Sequence, residues 1–341
     1  MTLPYRTRRT LRNLGITALF LVLVLILVWM VWLLWLDRYM VYTRDGAKLD
    51  FSQSAEHLSG ELAKPPEDNF TEDIYYNEGD NALDISTELS KLAGYYVTRD
   101  MLAEDISAVQ AQLRKLPAQT PVLIEVKDMV GRYFYSTSLG PAYKGIDTTE
   151  MDELIEYLAD SELYVIAKVP ALRDYYYGLN NVPDGLPTSG GYLWMEKETN
   201  CYWLNPASEG TLSYLMQTAA QLKDLGFDEV VFSDFRFPDT DKIVFKGDKK
   251  EALITAIKSL VSVSSTDRFA VSFLVEDPTL TLPEGRTRMY LEGRNAAEAK
   301  ALAQMTGLED TAAKLVFLTD VNDTRFDDYG ALRPITSAEV E

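Results

Sequence analysis

Six apolar runs in this chain close on charged side chains. "VLIEVKD" ends on Glu125, Lys127 and Asp128, "YVIAK" on Lys168, and "VVFSDFR" on Asp234 and Arg236. "VSFLVED" ends on Glu276 and Asp277, "MYLEGR" on Glu292 and Arg294, and "VFLTD" on Asp320. Carboxylates and cations that converge from several strand ends can do general acid–base work, because a positioned carboxylate moves a proton at the reacting atom. Glu125 and Lys127 flank Val126, so the two-residue period of a strand puts both on one face. Strands also run into polar loops, and that alone accounts for Asp128, Asp277 and Asp320. A structural ion-pair network is the competing explanation for the whole set.

Other chemistries lack their residues. The chain has one cysteine, Cys201, and one histidine, His57. No intramolecular disulfide can form, and zinc sites built on Cys and His clusters are excluded. A Ser-His or Cys-His mechanism would need His57, which lies in the polar, acidic stretch "SQSAEHLSGELAKPPEDNFTED" with no sign of a well-held base. The formal net charge of −19 argues against nucleic acid as a partner, since phosphates require clustered Lys and Arg. No cofactor and no metal are expected.

The charged ends need a scaffold that brings them together. From residue 92 onward, short apolar runs alternate with helical stretches. "GYYVT", "VLIEVKD", "YVIAKVPAL", "EVVFSDFRF", "RFAVSFLVED", "TRMYLEG" and "KLVFLTD" read as strands. Between them, "MLAEDISAVQAQLRKL", "TEMDELIEYLADS", "EGTLSYLMQTAAQLKDLG", "KKEALITAIKSLVSVSS" and "AAEAKALAQMTGL" read as helices. The alternation predicts a parallel sheet with crossover helices. Its length suits an α/β fold of the (β/α)8 TIM-like barrel type over residues 92–341, with one or two strands unassigned. A doubly wound sheet is the runner-up, lowered because no G-x-G-x-x-G or P-loop follows any strand. In a barrel the C-terminal strand ends form the active-site rim. An insertion at 173–205 adds "DYYYGLNN" and "GYLWMEKETNCYWLNP", aromatic segments whose rings either stack on sugar faces or pack the insertion onto the barrel.

The N-terminus predicts a single transmembrane helix in front of this barrel. Arg6, Arg8, Arg9 and Arg12 lie in a basic tail, 1–13, before an uncharged apolar run at 14–36. Such a run is long enough to span a bilayer and lacks the small residues of a cleavage site. It reads as a signal anchor with the arginines cytoplasmic, the tryptophans at the outer interface and the C-terminal domain extracytoplasmic. Residues 37–91 read as a short strand or hairpin around Asp45-Gly46, then an acidic linker.

Several segments resemble, in order, a bacterial family of glycoside-hydrolase-like (β/α)8 barrel domains. "LIEVKDMVGRYFYST" is similar to its "DVKDxxG" strand, "LYVIAKVPALRD" to its "IARIVVFKD" segment, and "YWLNP" to its Trp-x-Asn-Pro step. "GFDEVVFSDFRFP" resembles its signature "GFDEIQFDYIRFP", the most specific element. Two positions depart from the pattern. Glu125 stands where the family has an aspartate, and Ser233 stands at the signature acid, with Asp234 one residue later. Either the strand end bulges and Asp234 recovers the role, or the acid is lost, since one residue of slip turns a side chain to the other face.

The resemblance implies a membrane-anchored glycoside hydrolase acting on a cell-envelope or extracellular polysaccharide through two carboxylates. Asp234 and Glu125 are the first choice for that pair, with Glu276 and Glu292 in reserve. Lys127, Asp128, Lys168, Arg236, Trp203, Asn205, Glu276 and Glu292 are the candidate substrate-binding residues. The alternative is a catalytically degenerate barrel that binds glycan or an envelope protein without hydrolysis. Ser233 favours it, as does the lack of the family's later "PMxYPSHY" segment, to which "TRMYLEG" is the nearest match. A metal-dependent deacetylase is a third idea, weakened by the missing histidines.

Overall fold

The computed structural model describes residues 89–335, residues 22, 24, 25, 28–30 and 32, and the backbone of 40–43 and 46–49. The chain divides into two compact units, Met1–Glu78 and Gly79–Glu341. In the first, the described residues of the apolar run are helical, and Leu25, Val28, Trp29 and Trp32 are exposed. No helix among the described residues is long and apolar enough to cross a membrane. The rest of the expected anchor, the basic tail, and the linker up to residue 88 lie outside the described residues. Met40–Thr43 pairs antiparallel with Gly46–Leu49.

The second unit contains eight parallel strands closed into a barrel: β1 (Ala93–Val97), β2 (Pro121–Glu125), β3 (Tyr164–Pro170), β4 (Glu229–Ser233), β5 (Ala270–Leu274), β6 (Met289–Glu292), β7 (Leu315–Leu318) and β8 (Gly330–Pro334). Their order around the barrel follows the sequence, and β8 pairs with β1 to close it. The first seven are the strands expected from the apolar runs. The eighth, "GALRP", carries a glycine, an arginine and a proline instead of a β-branched run, so propensity does not announce it. Its place between two partners makes it a strand.

Eight helices accompany the strands: α1 (Arg99–Glu104), α2 (Ile106–Leu113), α3 (Thr148–Ala159), α4 (Tyr175–Asn180), α5 (Glu209–Asp224), α6 (Lys249–Ser264), α7 (Ala299–Thr306) and α8 (Thr311–Lys314). The single helix expected over 101–116 is two, because Asp105 is extended and its carboxylate caps α2 by accepting the Ala108 N–H at 2.8 Å. No helix follows β5, where Pro278 and Pro283 break any helical run.

The barrel interior is layered by the two-residue period. Ile166, Val231, Leu274 and Tyr290 belong to one buried apolar cluster. Two residues earlier on the same strands stand Tyr164, Glu229, Ser272 and Arg288. Two residues later come Lys168, Ser233, Glu276 and Glu292. The lower layer is sealed. Glu229 and Arg288 form an ion pair with both side chains almost fully buried. The Tyr164 and Tyr290 hydroxyls each donate to Glu229 at 2.9 Å. Arg288 also donates to the carbonyls of Ala313 and Ser90, each at 3.0 Å. The upper layer is open and polar. Outside the barrel, a larger apolar cluster packs the strands against the helices.

Candidate active site

The upper layer borders a cleft of about 470 Å³ at the C-terminal end of the barrel. Glu125, Lys127, Asp128, Lys168, Asp234, Arg236, Glu276 and Glu292 all line it, so five of the six charged strand ends reach it; Asp277 and Arg294 do not line it, nor does Asp320, the sixth end. Trp203 lies behind it, and Asn205 lies apart.

Lys168 is the hub of one half. It is the inward residue at the end of β3 and sits beside Glu125 in register. Its ammonium lies 3.3 Å from Glu125 Oε1 and 3.1 Å from Glu292 Oε1, reaching across the barrel mouth from β3 to β6. Burial opposes the charge on Lys168, but Glu292 and Glu125 outweigh it and hold its pKa above the ordinary lysine value. Lys168 is therefore a fixed cation and not an amine nucleophile. Glu125 Oε2 also accepts the backbone N–H of Arg99, the first residue of α1, at 2.7 Å. An ammonium and an amide thus converge on Glu125 and fix the position of its carboxylate. Beside this group, burial and then Asp320 and Glu292 push the Tyr96 phenol up, so it stays neutral.

Asp234 anchors the other half through a local distortion. The inward residue at the end of β4 is Ser233, which is buried, lines the cleft and has no side-chain hydrogen bond among the described residues. Asp234 has φ +51°, in the left-handed region. That turn brings its carboxylate to the cleft, where Oδ1 accepts from Arg173 Nη1 at 3.0 Å. Asp is among the few non-glycine residues that tolerate this conformation. A kink after the strand thus puts Asp234 in the cleft lining beside Ser233. Arg173 also donates to Glu196 Oε2 at 2.5 Å, tying the 173–205 insertion to the site. Arg236 pairs with Glu276 at 2.9 Å. Trp203 is fully buried against both guanidiniums, whose carbons stand 5.3 Å (Arg173) and 4.9 Å (Arg236) from its ring centre. Its place in the fold is a plate behind the cleft.

Three other candidates have local duties. The Lys127 amine is buried against Asp174 at 2.7 Å and donates to the Pro170 carbonyl at 3.0 Å. Burial opposes this charge too, but Asp174 prevails and the pKa is raised. Tyr214 donates to the same aspartate at 2.9 Å, completing a buried knot under the loops after β2 and β3. Asp128 folds its own loop by accepting the N–H groups of Val130 (3.0 Å) and Arg132 (2.9 Å). Asn205 Oδ1 accepts the Ala207 N–H at 3.0 Å, forming the turn before α5. Sequence reasoning overlooked Arg173 and Arg99. Arg173 stands in "VPALRD" just past β3, and its position after a strand end was the signal available. Among the described residues, no group of three or more His, Cys, Asp or Glu could hold a metal ion.

A closed barrel of eight parallel strands with a polar cleft at its C-terminal rim defines a TIM-like barrel. The chain belongs to the family described as "Putative glycosyl hydrolase domain", whose family model matches residues 94–271. A search of curated proteins gave no match. Among solved structures, the chain is similar to a GH20 exo-β-N-acetylglucosaminidase from Vibrio harveyi in complex with N-acetylglucosamine. That likeness has 10% identity and a TM-score of 0.51 over 73% of this chain and 50% of the enzyme. A GH36 α-galactosidase from Geobacillus stearothermophilus in complex with raffinose matches at 10% identity and TM-score 0.50, over 74% of this chain and 40% of that one. A hypothetical protein from Ruminiclostridium thermocellum is 17% identical, with TM-score 0.45 over 52% of this chain and 96% of its own. This chain spans half or less of the length of the two enzymes, and at such identities the likeness is one of fold.

Proposed function

We propose that this chain is a membrane-anchored, extracytoplasmic protein whose cleft cleaves a glycosidic bond in a cell-envelope or extracellular polysaccharide. One observation carries the reading. Two carboxylates, Glu125 and Asp234, line one cleft at the rim where barrel enzymes place their chemistry. Glu125, held by Lys168 and the Arg99 N–H, is the carboxylate with the more fixed position and is assigned the role of nucleophile or base. Asp234 is the partner across the cleft. The anchor rests on the four arginines and the apolar run at 14–36.

The full chain in detergent, incubated with envelope polysaccharides, should release new reducing ends. Asp234→Asn should lower that release about 10²–10⁴-fold, the usual loss for a positioned acid or base. Asparagine also tolerates a positive φ, so the variant tests the charge and spares the backbone. Unchanged release would remove Asp234 from the mechanism.

A second reading, glycan binding without turnover, is favoured by the ion pairs. Glu125, Glu292, Asp234 and Glu276 each face a cation, whereas a general acid needs its proton held on. Under that reading no polysaccharide is cut, glycan binding persists in Asp234→Asn, and Ser233→Asp is the variant that gains hydrolysis.

A further inference from the structure

Among the described residues, five ion pairs have both partners in the cleft lining, and in each of them the carboxylate is the more exposed partner. The Glu276 side chain is 67% exposed against 27% for Arg236. Glu292 is 52% exposed and Glu125 25%, against 14% for Lys168. Asp234 is 21% exposed against 10% for Arg173. Arg99 stands at the rim beside the more exposed Asp100, the other paired cations lie beneath, and a ligand entering the cleft meets mainly carboxylate oxygens. A second observation is independent of charge. Ser233 is only 5% exposed, points along the inward register into the cleft, and its hydroxyl has no partner among the described residues. The hydroxyl is open to the cleft, where water or a bound ligand can hydrogen-bond to it.

We propose that the glycan taken by this cleft carries unsubstituted amino groups, as a de-N-acetylated amino sugar does. This inference rests on the reading of the cleft as a glycan site and names the substrate class within it. An ammonium offers three donors and no acceptor. Carboxylates offer acceptors only, so the two match without leaving an unpaired group, and the bonds are charge-assisted. Ser233 Oγ supplies a further acceptor at the floor. A uronate or phosphate-bearing glycan would meet like charge at the rim, and N-acetylation would remove the positive charge and leave one N–H donor in place of three. The net charge of −19 steers cations toward the molecule as a whole.

The test is titration calorimetry of the full chain in detergent with three probes: a glucosamine trisaccharide, its fully N-acetylated counterpart and trigalacturonate. The glucosamine trimer should bind about tenfold or more tighter than the acetylated one and weaken as salt is raised. Trigalacturonate should not compete. Glu276→Gln/Glu292→Gln, shown by circular dichroism to be folded, should lose about tenfold for the glucosamine trimer. Glu309→Gln, an exposed acid outside the cleft, controls for non-specific attraction and should not change it. Preferential binding of the acetylated trimer would overturn the inference and leave the glycan reading standing. Equal losses in the double variant and the control would overturn it as well, because the attraction would then not belong to the cleft. No binding of any trimer by folded protein would sink both.

Discussion

Asp234 shows how one backbone angle redirects a functional group. The alternation in "VVFSDFRF" was legible and correctly gives Ser233 as the inward residue. The left-handed turn that then brings Asp234 to Arg173 was offered by the sequence only as one of two outcomes, since no turn residue such as glycine marks it. Glu125 and Lys168 were fully legible, because each is the next inward position after a buried apolar residue. Lys127 also lines the cleft, but the strand has ended there and its amine pairs with the buried Asp174, a partner the period does not show. Lys127→Met should destabilise the fold by about 3–5 kcal/mol, measured by denaturant unfolding, because it strands a buried carboxylate. A second residue tests pH linkage. Burial, opposed by the Val165 N–H and assisted by Glu229, raises the Asp228 carboxyl above its usual value. A raised carboxyl destabilises the fold at neutral pH, and the penalty fades as pH falls through its folded pKa. Asp228→Asn should therefore unfold at equal or higher denaturant than the parent at pH 7, with any advantage shrinking under acid. A clear loss at pH 7 would contradict this.

Among the elements, strand and helix identity came mostly from apolar runs and 3.6-residue periodicity, and the exceptions have local causes. Asp105 splits one expected helix because its carboxylate does more as an N-cap than as a helix-interior residue. Asp105→Ala should cost about 1 kcal/mol of stability on denaturant unfolding. Gly226 closes α5 at φ +90°, and a Cβ there would meet the Ala159 Cβ at 2.6 Å. Gly226→Ala should be destabilising by more than the roughly 1 kcal/mol of the left-handed penalty alone, because contact is added to strain. β8 remained illegible because its strand character comes from its neighbours β7 and β1. The site's cross-links, Lys168 to Glu292 and Arg173 to Asp234, join residues 124 and 61 positions apart, separations that no window of sequence displays.

At the scale of the whole molecule, the charge distribution sets two expectations. Lys168 carries a raised pKa, so its ionic contribution to stability is complete below the unfolded value near 10.5 and is lost as pH rises through the higher folded value. Alkaline unfolding of Lys168→Met should lack that component. The topology proposed for the N-terminus predicts that protease added to intact cells removes the domain after Asp37 and spares the arginine tail; a protected domain would reverse the orientation.

The sealed pair at the bottom of the barrel has a consequence for where this domain can be cut. Arg288, the residue just before β6, bonds to Glu229 on β4, to Tyr164 on β3, to the Ser90 carbonyl ahead of β1 and to the Ala313 carbonyl in α8. The stretch that bears the family's likeness stops at residue 271, short of Arg288, Tyr290 and three of the eight strands. Expressed alone, it would keep Glu229 in an apolar bore with neither its arginine nor its second tyrosine, and would leave both β1 and β5 as raw edges open to other chains. The recognisable region is thus shorter than the smallest piece that can fold, and soluble protein should appear only when the chain runs on through β8.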